Sequence, residues 1–276
     1  MRQKSLGRCG LIVSEIGFGA RWLVSKGKTE AETALAEKAL LLALESGVTL
    51  VDTAAGYGDS EQRVGRILKK IKGEITVSTK CWASDEKKIR ASLEQSLENL
   101  GRSSIDIYLI HNPEDTFAAL PVFKKLREEG LVRAVGVCAW HGDEDLMKRA
   151  IEEGAADILQ IAVTLLHRGM IEKGVVDLAV KNHLGIQIMS PLAKGRLAGA
   201  HPALKPLEPF GIRTLSQASL KYLVDHIPNG VPIPGTSKPE RVREYLSVAD
   251  LPIVPEEAWL TVIRELEKNP ELIELP

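Results

Sequence analysis

Four side chains that could move or stabilise a proton lie at or just past the ends of successive strand-like segments of this 276-residue chain. They are a carboxylate, a phenol, an amine and an imidazole: Asp52, Tyr57, Lys80 and His111. A free tyrosine has a pKa of about 10, which is too high for an efficient acid near neutrality. A nearby ammonium favours the phenolate and lowers that pKa, and a carboxylate can keep the ammonium charged and fixed. The set therefore indicates a tuned proton donor, with a histidine that could steer a substrate carbonyl oxygen.

Each of these four residues, taken alone, has a simpler structural explanation. An aspartate at a strand end commonly caps the next loop, and a lysine there is usually a surface charge. The histidine could be partly buried with its own partners, and the tyrosine could simply pack. Their occurrence together at three adjacent strand ends favours a shared chemical role.

The rest of the chain alternates between strand-like and helix-like segments. Strands are predicted near 14–19, 48–53, 75–80, 106–111, 133–138, 158–162, 185–190 and 231–234, and helices over 31–46, 87–100, 117–129 and 216–225 among others. The strands are continuously apolar, which is typical of strands buried on both faces. Eight strands joined by crossover helices predict a (β/α)8 barrel, or TIM barrel, an α/β fold. A doubly wound sheet is the alternative, but no Gly-x-Gly-x-x-Gly opens a helix after the first strand.

Two segments fall outside the eight repeating units. Residues 3–13 predict an N-terminal β-hairpin that caps the barrel floor. Residues 255–268 predict an extra C-terminal helix, with Trp259, Val262, Ile263 and Leu266 on one face. Because no linker or low-complexity tract interrupts the pattern, residues 1–276 are predicted to form a single domain.

The composition excludes several classes of protein. The chain is 44% hydrophobic and 26% charged with a net charge of −1, so it lacks the basic excess that favours nucleic acid or anionic membranes. It shows neither the apolar core of a signal peptide nor a transmembrane stretch of roughly 18 apolar residues. Cys9, Cys81 and Cys138 lack metal-ligand or disulfide spacing. These features predict a cytoplasmic protein without a metal site.

The segment 191–214 breaks the alternation, since it is long and rich in glycine and proline. In a barrel it would follow strand 7, on the face where phosphate sites form. Lys194 and Arg196 flank Gly195 there, and two cations around a flexible backbone would suit a pyrophosphate. A solvated surface loop is the alternative explanation.

Longer motifs around the four polar residues resemble the aldo-keto reductase superfamily. They are Val51-Asp52-Thr53-Ala54-Ala55-Gly56-Tyr57-Gly58-Asp59-Ser60-Glu61, Ser78-Thr79-Lys80 and Leu109-Ile110-His111-Asn112-Pro113, and the likeness runs along the whole chain. The resemblance implies that Tyr57 is the general acid, that Lys80 and Asp52 tune it, and that His111 orients the carbonyl. It further implies that a nicotinamide cofactor gives hydride to an aldehyde or ketone while Tyr57 protonates the oxygen.

The same resemblance implies a cofactor site at the ends of strands 6 to 8. Gln160 would hold the nicotinamide carboxamide, and Ser190-Pro191-Leu192 would open the loop over the pyrophosphate. Arg241 would contact a 2′-phosphate, which favours NADPH over NADH as cofactor while leaving NADH possible. With the two loop cations, the predicted cofactor contacts are Gln160, Ser190, Leu192, Lys194, Arg196, Gly235, Thr236, Arg241 and Glu244.

Four positions depart from the family pattern. Cys138-Ala139 replaces a Ser-Asn pair that holds the carboxamide, Gly235 replaces a phosphate-binding lysine, and Tyr245 replaces an asparagine that contacts adenine. Each lost hydrogen bond is worth roughly 0.5–1.5 kcal/mol, so weaker cofactor binding is expected.

Tryptophans follow predicted strands 1, 3 and 5. Trp22 and Trp82 are predicted to line an apolar pocket for a small-molecule carbonyl substrate, and Trp140 lies near the same face.

The leading hypothesis is an NADPH-dependent carbonyl reductase that is a monomer or a simple homo-oligomer. One alternative is a nicotinamide-binding regulatory protein with weak turnover, which the Cys138-Ala139 departure motivates. Another is a Schiff-base lyase with Lys80 as nucleophile and Tyr57 as proton shuttle.

Overall fold

A computed structural model describes residues 1–111, 116–154 and 156–274. Over these residues, eight parallel strands pair in chain order. They are β3 (Phe18–Gly19), β4 (Leu50–Asp52), β5 (Thr76–Cys81), β6 (Ile105–Ile110), β7 (Val132–Ala139), β8 (Ile158–Ala162), β9 (Gly185–Met189) and β10 (Gly230–Pro232). Asn112 and Pro113 of the third sequence motif lie outside the described residues.

Backbone hydrogen bonds close the sheet into a barrel. The Gly17 N–H donates to the Pro232 carbonyl at 2.9 Å, and the Gly19 N–H donates to the Pro234 carbonyl at 3.1 Å. These bonds join the first strand to the last, so the predicted (β/α)8 barrel is confirmed.

The first barrel strand is shorter than the predicted 14–19. Two antiparallel strands precede it, β1 (Gln3–Ser5) and β2 (Ile12–Ser14), with Gln3 opposite Ser14. Because the backbone of β2 pairs with β1, β3 begins only at Phe18.

The hairpin formed by β1 and β2 closes the floor of the barrel. Leu6, Leu11 and Val13 are buried and pack with inward-facing barrel residues such as Leu50 and Ile107. The N-terminal end of the barrel is therefore filled with apolar side chains, which confirms the predicted cap.

Helices lie between successive strands and after the last one. They are α1 (Glu30–Glu45), α2 (Ser60–Leu68), α3 (Glu86–Leu100), α4 (Thr116–Glu128), α5 (Glu144–Glu152), α6 (Gly169–Glu172), α7 (Val175–Lys181), α8 (Leu215–His226), α9 (Pro239–Leu246), α10 (Glu256–Leu266) and α11 (Pro270–Ile273). None in the described part of the chain has the length and apolarity needed to cross a bilayer. The predicted C-terminal helix corresponds to α10, which buries its four expected apolar residues.

Helix α3 illustrates how the sequence sets an element that flanks the site. The Asp85 side chain accepts a hydrogen bond from the Lys88 N–H, which satisfies a free donor of the first turn. Ile89 and Leu93 are buried on one face. Gly101 ends the helix with φ 64°, a left-handed conformation that glycine adopts without steric cost.

The segment 191–214, predicted to be an irregular loop, contains two 3-10 helices, Ala193–Gly195 and Pro202–Phe210. Pro202 starts the second one, and Pro206 and Pro209 lie inside it. Proline has no N–H to donate and its ring clashes with the preceding turn, so these residues disfavour a regular α-helix and its periodicity.

Candidate active site

A buried ion pair lies at the centre of the site, at the ends of β4 and β5. Lys80 Nζ is 2.8 and 2.7 Å from the two carboxylate oxygens of Asp52, and it donates a third bond of 2.7 Å to the Thr53 carbonyl. Lys80 is 1% exposed and Asp52 is 4% exposed. All three ammonium protons therefore have acceptors, which satisfies a charge that would otherwise be costly to bury.

Tyr57 lies above this ion pair, on the loop that follows β4. A turn in which the Tyr57 N–H donates to the Ala54 carbonyl at 2.9 Å holds its backbone. Lys80 Nζ is 5.3 Å from the centre of the phenol ring, and the Arg21 guanidinium carbon is 5.8 Å from it. The His111 ring is 5.9 Å away, edge to face. The structure thus brings the four sequence-predicted catalytic residues together.

The ionisation of the phenol departs from the sequence expectation. Burial raises the pKa of Tyr57, and the positive charges of Lys80 and Arg21 only partly offset this effect. For Lys80, burial opposes the charged form, but Asp52 and Tyr57 outweigh it and raise the pKa of the ammonium. The resting site therefore holds a neutral phenol beside a charged ammonium.

His111 is neutral in this environment. Burial, together with the charges of Lys80 and Arg21, lowers the pKa of His111 to about 3. Its ring packs against Trp82 with ring centres 4.0 Å apart and the ring planes tilted by 36°. Nδ1 is buried and has no hydrogen-bond partner within the described ranges. A neutral imidazole has one N–H donor, which suits hydrogen bonding to a carbonyl oxygen.

A row of buried amides continues from Asp52 into the barrel. Gln160 Nε2 donates to Asp52 Oδ1 at 2.8 Å and to Gln187 Oε1 at 2.7 Å. The Ser78 hydroxyl donates to the same Gln187 oxygen at 3.2 Å. Gln160 Oε1 accepts only a weak, 3.4 Å contact from the Cys138 thiol. The side chain expected to hold a carboxamide is thus engaged with Asp52 and Gln187.

The loop after β9 contains concentrated backbone strain. Ser190, Ala193 and Lys194 have φ values of 51°, 47° and 54°, in the left-handed region that non-glycine residues rarely adopt. Leu192 is buried, whereas Lys194 is exposed with its ammonium 5.8 Å from the Trp140 ring centre. Such strain persists only where the surrounding structure imposes it, and it is commonly found at ligand sites.

Arg196 of the same loop points to the C-terminal segment. Its guanidinium donates to the Glu274 carbonyl at 2.6 Å and lies 3.3 Å from the Glu274 carboxylate. The second predicted loop cation is therefore paired with a carboxylate in this structure.

The region after β10 is crowded around two glycines. A Cβ atom at Gly235 would lie 2.5 Å from the Gly19 carbonyl oxygen and 3.0 Å from Trp22 Cδ1. This close approach explains why a lysine is absent at position 235. Thr236 Oγ1 accepts from the Lys238 N–H at 3.0 Å, at the start of α9.

Two charged residues of the predicted cofactor site, Arg241 and Glu244, lie on α9 itself. Arg241 pairs with Glu244 at 2.9 Å, and Glu244 also accepts from the Thr214 hydroxyl at 2.6 Å. Glu244 therefore connects α9 to the end of the segment 191–214, and Arg241 is held next to that junction.

Comparison with known proteins identifies the family of the chain. A profile described as aldo/keto reductase family matches residues 15–261. The chain belongs to this family. It is 30% identical over 259 residues to a methylglyoxal reductase of Yersinia pestis, covering 90% of this chain and 87% of that protein. It is 32% identical over 231 residues to an NADH-specific methylglyoxal reductase of Escherichia coli, covering 72% and 70%. As an aldo/keto reductase, it is an NAD(P)H-dependent oxidoreductase.

A solved structure shows the same fold. An aldo-keto reductase from Klebsiella pneumoniae, in complex with NADPH, superposes with a TM-score of 0.78 at 23% identity, covering 96% of this chain and 95% of the other.

The mouth of this aldo/keto reductase barrel carries the two predicted pocket tryptophans. Trp22 is 45% exposed and Trp82 is 56% exposed. A cavity of about 440 Å³ lies beside Trp82, and Gly56 and Cys81 are among the residues that line it. A Cβ atom at Gly56 would lie 2.8 Å from Trp82 Nε1, so the glycine lets the indole lie against the loop that carries Tyr57.

Sequence reasoning missed two side chains of the site, Arg21 near Tyr57 and Gln187 next to Gln160. Arg21 adds a second positive charge near Tyr57, and nothing in its sequence context indicated this. Gln187 had a visible signal, because it is the single polar residue inside the apolar strand β9, Gly185–Met189.

Proposed function

We propose that the protein reduces aldehydes or ketones to alcohols with NADPH, with Tyr57 as the proton donor. The observation that supports this most directly is the position of Lys80, which is hydrogen-bonded to Asp52 on one side and lies 5.3 Å from the Tyr57 ring on the other. A buried, charged ammonium stabilises the phenolate that remains when Tyr57 gives up its proton.

The residues around the barrel mouth fit a nicotinamide dinucleotide. The strained backbone from Ser190 to Lys194, with an exposed ammonium at its end, is suited to a pyrophosphate. Thr236 and Arg241 would serve the adenosine phosphate, and Gln160 would serve the carboxamide. When bound, reduced nicotinamide supplies the hydride.

The nucleotide preference is part of the proposal. Arg241 favours a 2′-phosphate and hence NADPH. The Klebsiella structure contains NADPH, and the Escherichia coli relative is named NADH-specific. NADPH is therefore proposed as the main cofactor, with NADH as a possible substitute.

The chain's own residues then handle the substrate oxygen. Neutral His111 donates its N–H to the carbonyl oxygen and polarises the bond, and the Tyr57 hydroxyl transfers its proton to that oxygen as negative charge develops. Because burial keeps the Tyr57 pKa raised, the phenol remains protonated until that charge appears.

The substrate proposed is a small carbonyl compound with an apolar part. Trp82 offers apolar surface next to His111, and the exposed Trp22 adds apolar surface beside Gly235. The two named relatives are methylglyoxal reductases, so methylglyoxal is the first compound to test.

One observation supports a second candidate, a nucleotide-binding regulatory protein with weak turnover. Cys138 and Ala139 are both buried, and burial raises the pKa of the Cys138 thiol to about 12. Neither side chain offers a strong hydrogen bond to a carboxamide.

Two measurements on the purified protein separate these candidates. Tryptophan fluorescence titrations with NADPH and NADH give the affinities, and NADPH absorbance follows turnover with methylglyoxal and a panel of larger aldehydes. Turnover that saturates with a carbonyl and consumes NADPH supports the reductase. Binding without turnover on the whole panel supports the regulatory protein, and no binding of either nucleotide rejects both.

A further inference from the structure

The polar row inside the barrel contains a glutamine that the proposed reaction does not use. Gln187, on β9, is fully buried, as are Gln160 and Ser78. With no solvent to replace a lost partner, each hydrogen bond in this row has a larger effect on its neighbours than one at the surface.

The direction of the hydrogen bonds in this row follows from the charge of Asp52. An ionised carboxylate only accepts hydrogen bonds, so the Gln160 atom facing Asp52 Oδ1 must be its NH2 group. The second N–H of that group faces Gln187 at 2.7 Å, so the Gln187 atom there must be its carbonyl oxygen. The Ser78 hydroxyl donates to the same oxygen, which fixes Gln187 from the opposite side.

This arrangement determines which atom of Gln160 is left for a ligand. Both N–H groups of Gln160 are used inside the barrel, and Oε1 contacts only the Cys138 thiol at 3.4 Å. A thiol is a weak donor, and burial keeps the Cys138 pKa raised, so Oε1 remains available to a stronger donor. If Gln187 were absent, the second Gln160 N–H would lose its acceptor, and the hydrogen bond to Asp52 alone would hold the amide.

We propose that Gln187 is a positioning residue for the reaction: through Gln160 it holds one amide N–H on Asp52 and presents the amide oxygen to the nicotinamide carboxamide. A single side chain thereby couples the site of proton donation to the cofactor site. This inference rests on the proposed reductase function.

A double-mutant cycle tests this role. Gln187→Leu, Gln160→Leu and the double variant are compared with the wild type for NADPH dissociation constant, kcat and the KM for the carbonyl substrate. Gln187→Leu is expected to weaken NADPH binding and lower kcat by about fivefold to tenfold each, while the carbonyl KM stays unchanged. Added to Gln160→Leu, it should change either quantity by less than about twofold, since the residue through which it acts is already gone.

Two further variants separate positioning from loss of folding. Gln187→Met repeats the substitution with a flexible side chain of similar volume in case the leucine variant is unstable. Ile188→Val removes a methylene from the neighbouring buried residue, which packs in the outer core rather than inside the barrel. It should lower the midpoint of thermal unfolding while leaving kcat and the NADPH dissociation constant at wild-type values.

The outcomes distinguish this inference from the proposed function. Turnover in the wild type with fully additive effects of the two glutamine variants would overturn the positioning role and leave the reductase standing. Binding of NADPH without turnover would reject the reductase, and the cycle in dissociation constants would still decide the role of Gln187. A protein that binds neither nucleotide would reject both.

Discussion

Lys80 Nζ contacts both carboxylate oxygens of Asp52 at 2.7 and 2.8 Å in a position almost closed to solvent. Such a pair contributes little net stability when intact, but removing one partner leaves an uncompensated buried charge. Lys80→Met is therefore expected to lower the free energy of unfolding by about 3–5 kcal/mol. Urea denaturation monitored by circular dichroism measures this loss.

The double variant Lys80→Met/Asp52→Leu is the control for this ion-pair effect. Because it removes both charges, it should be more stable than Lys80→Met alone. A double variant less stable than the single one would show that lost packing, rather than the unpaired carboxylate, causes most of the loss of stability.

Tyr57→Phe is expected to lower kcat for carbonyl reduction by about 10²–10⁴-fold, because it removes the proposed proton donor. The NADPH dissociation constant should stay near that of the wild type. Steady-state kinetics and the fluorescence titration measure these two quantities. Tyr222→Phe is a matched control, since Tyr222 is buried against Trp259 and His226 in a separate part of the molecule. Wild-type turnover in Tyr57→Phe would show that Tyr57 is not the proton donor.

The environment of His111 predicts a dependence of stability on pH. Its pKa is lowered from 6.5 to about 3, so between these values the unfolded chain binds a proton that the folded chain does not. The stability that the folded protein gains by keeping His111 neutral is fully present above pH 6.5, and it is lost as the pH falls toward 3. Urea unfolding at a series of pH values gives the free energy of unfolding as a function of pH. In this window, that free energy should change less steeply with pH for His111→Gln than for the wild type. Parallel curves would contradict the assigned shift.

The contact between Arg196 and Glu274 predicts an effect on cofactor affinity. Both groups are partly exposed, so their pair is worth at most about 1 kcal/mol. Glu274→Gln removes the competing carboxylate and is expected to tighten NADPH binding by about twofold to fivefold if Arg196 serves the pyrophosphate. Fluorescence titration at low salt measures the change.

Two controls accompany that substitution. Glu271→Gln removes a charge from the same exposed C-terminal segment, at a residue that Arg196 does not contact, and should leave the affinity unchanged. Arg196→Ala should weaken binding. Unchanged affinity in both Glu274→Gln and Arg196→Ala would exclude Arg196 from the cofactor site.

The sequence predicted the barrel and the four clustered residues for a simple physical reason. A strand buried on both faces has to be apolar, so Asp52, Lys80 and His111 stand out where each such strand ends. In a parallel barrel those ends lie on one face, and the order of the strands along the chain then brings the side chains together.

Other features depend on contacts that one-dimensional patterns do not encode. The Gln160 amide is held between Asp52 and Gln187, which lie on two other strands, and the pairing of Ile12–Ser14 with Gln3–Ser5 shortens the first barrel strand. The raised pKa of Tyr57 reflects the competition between burial and Lys80, and only the packed site determines which is larger.

The seam of the barrel has a consequence for how the chain folds. The bonds from Gly17 and Gly19 to Pro232 and Pro234 join segments that are more than 200 residues apart along the chain. Contacts between such distant segments form late, because the loop-closure entropy has to be overcome before they contribute. During synthesis on the ribosome, the ring of strands cannot close until the region of Pro234 has emerged. The amide protons of Gly17 and Gly19 should therefore be the last of the barrel to gain protection in a pulsed hydrogen-exchange experiment.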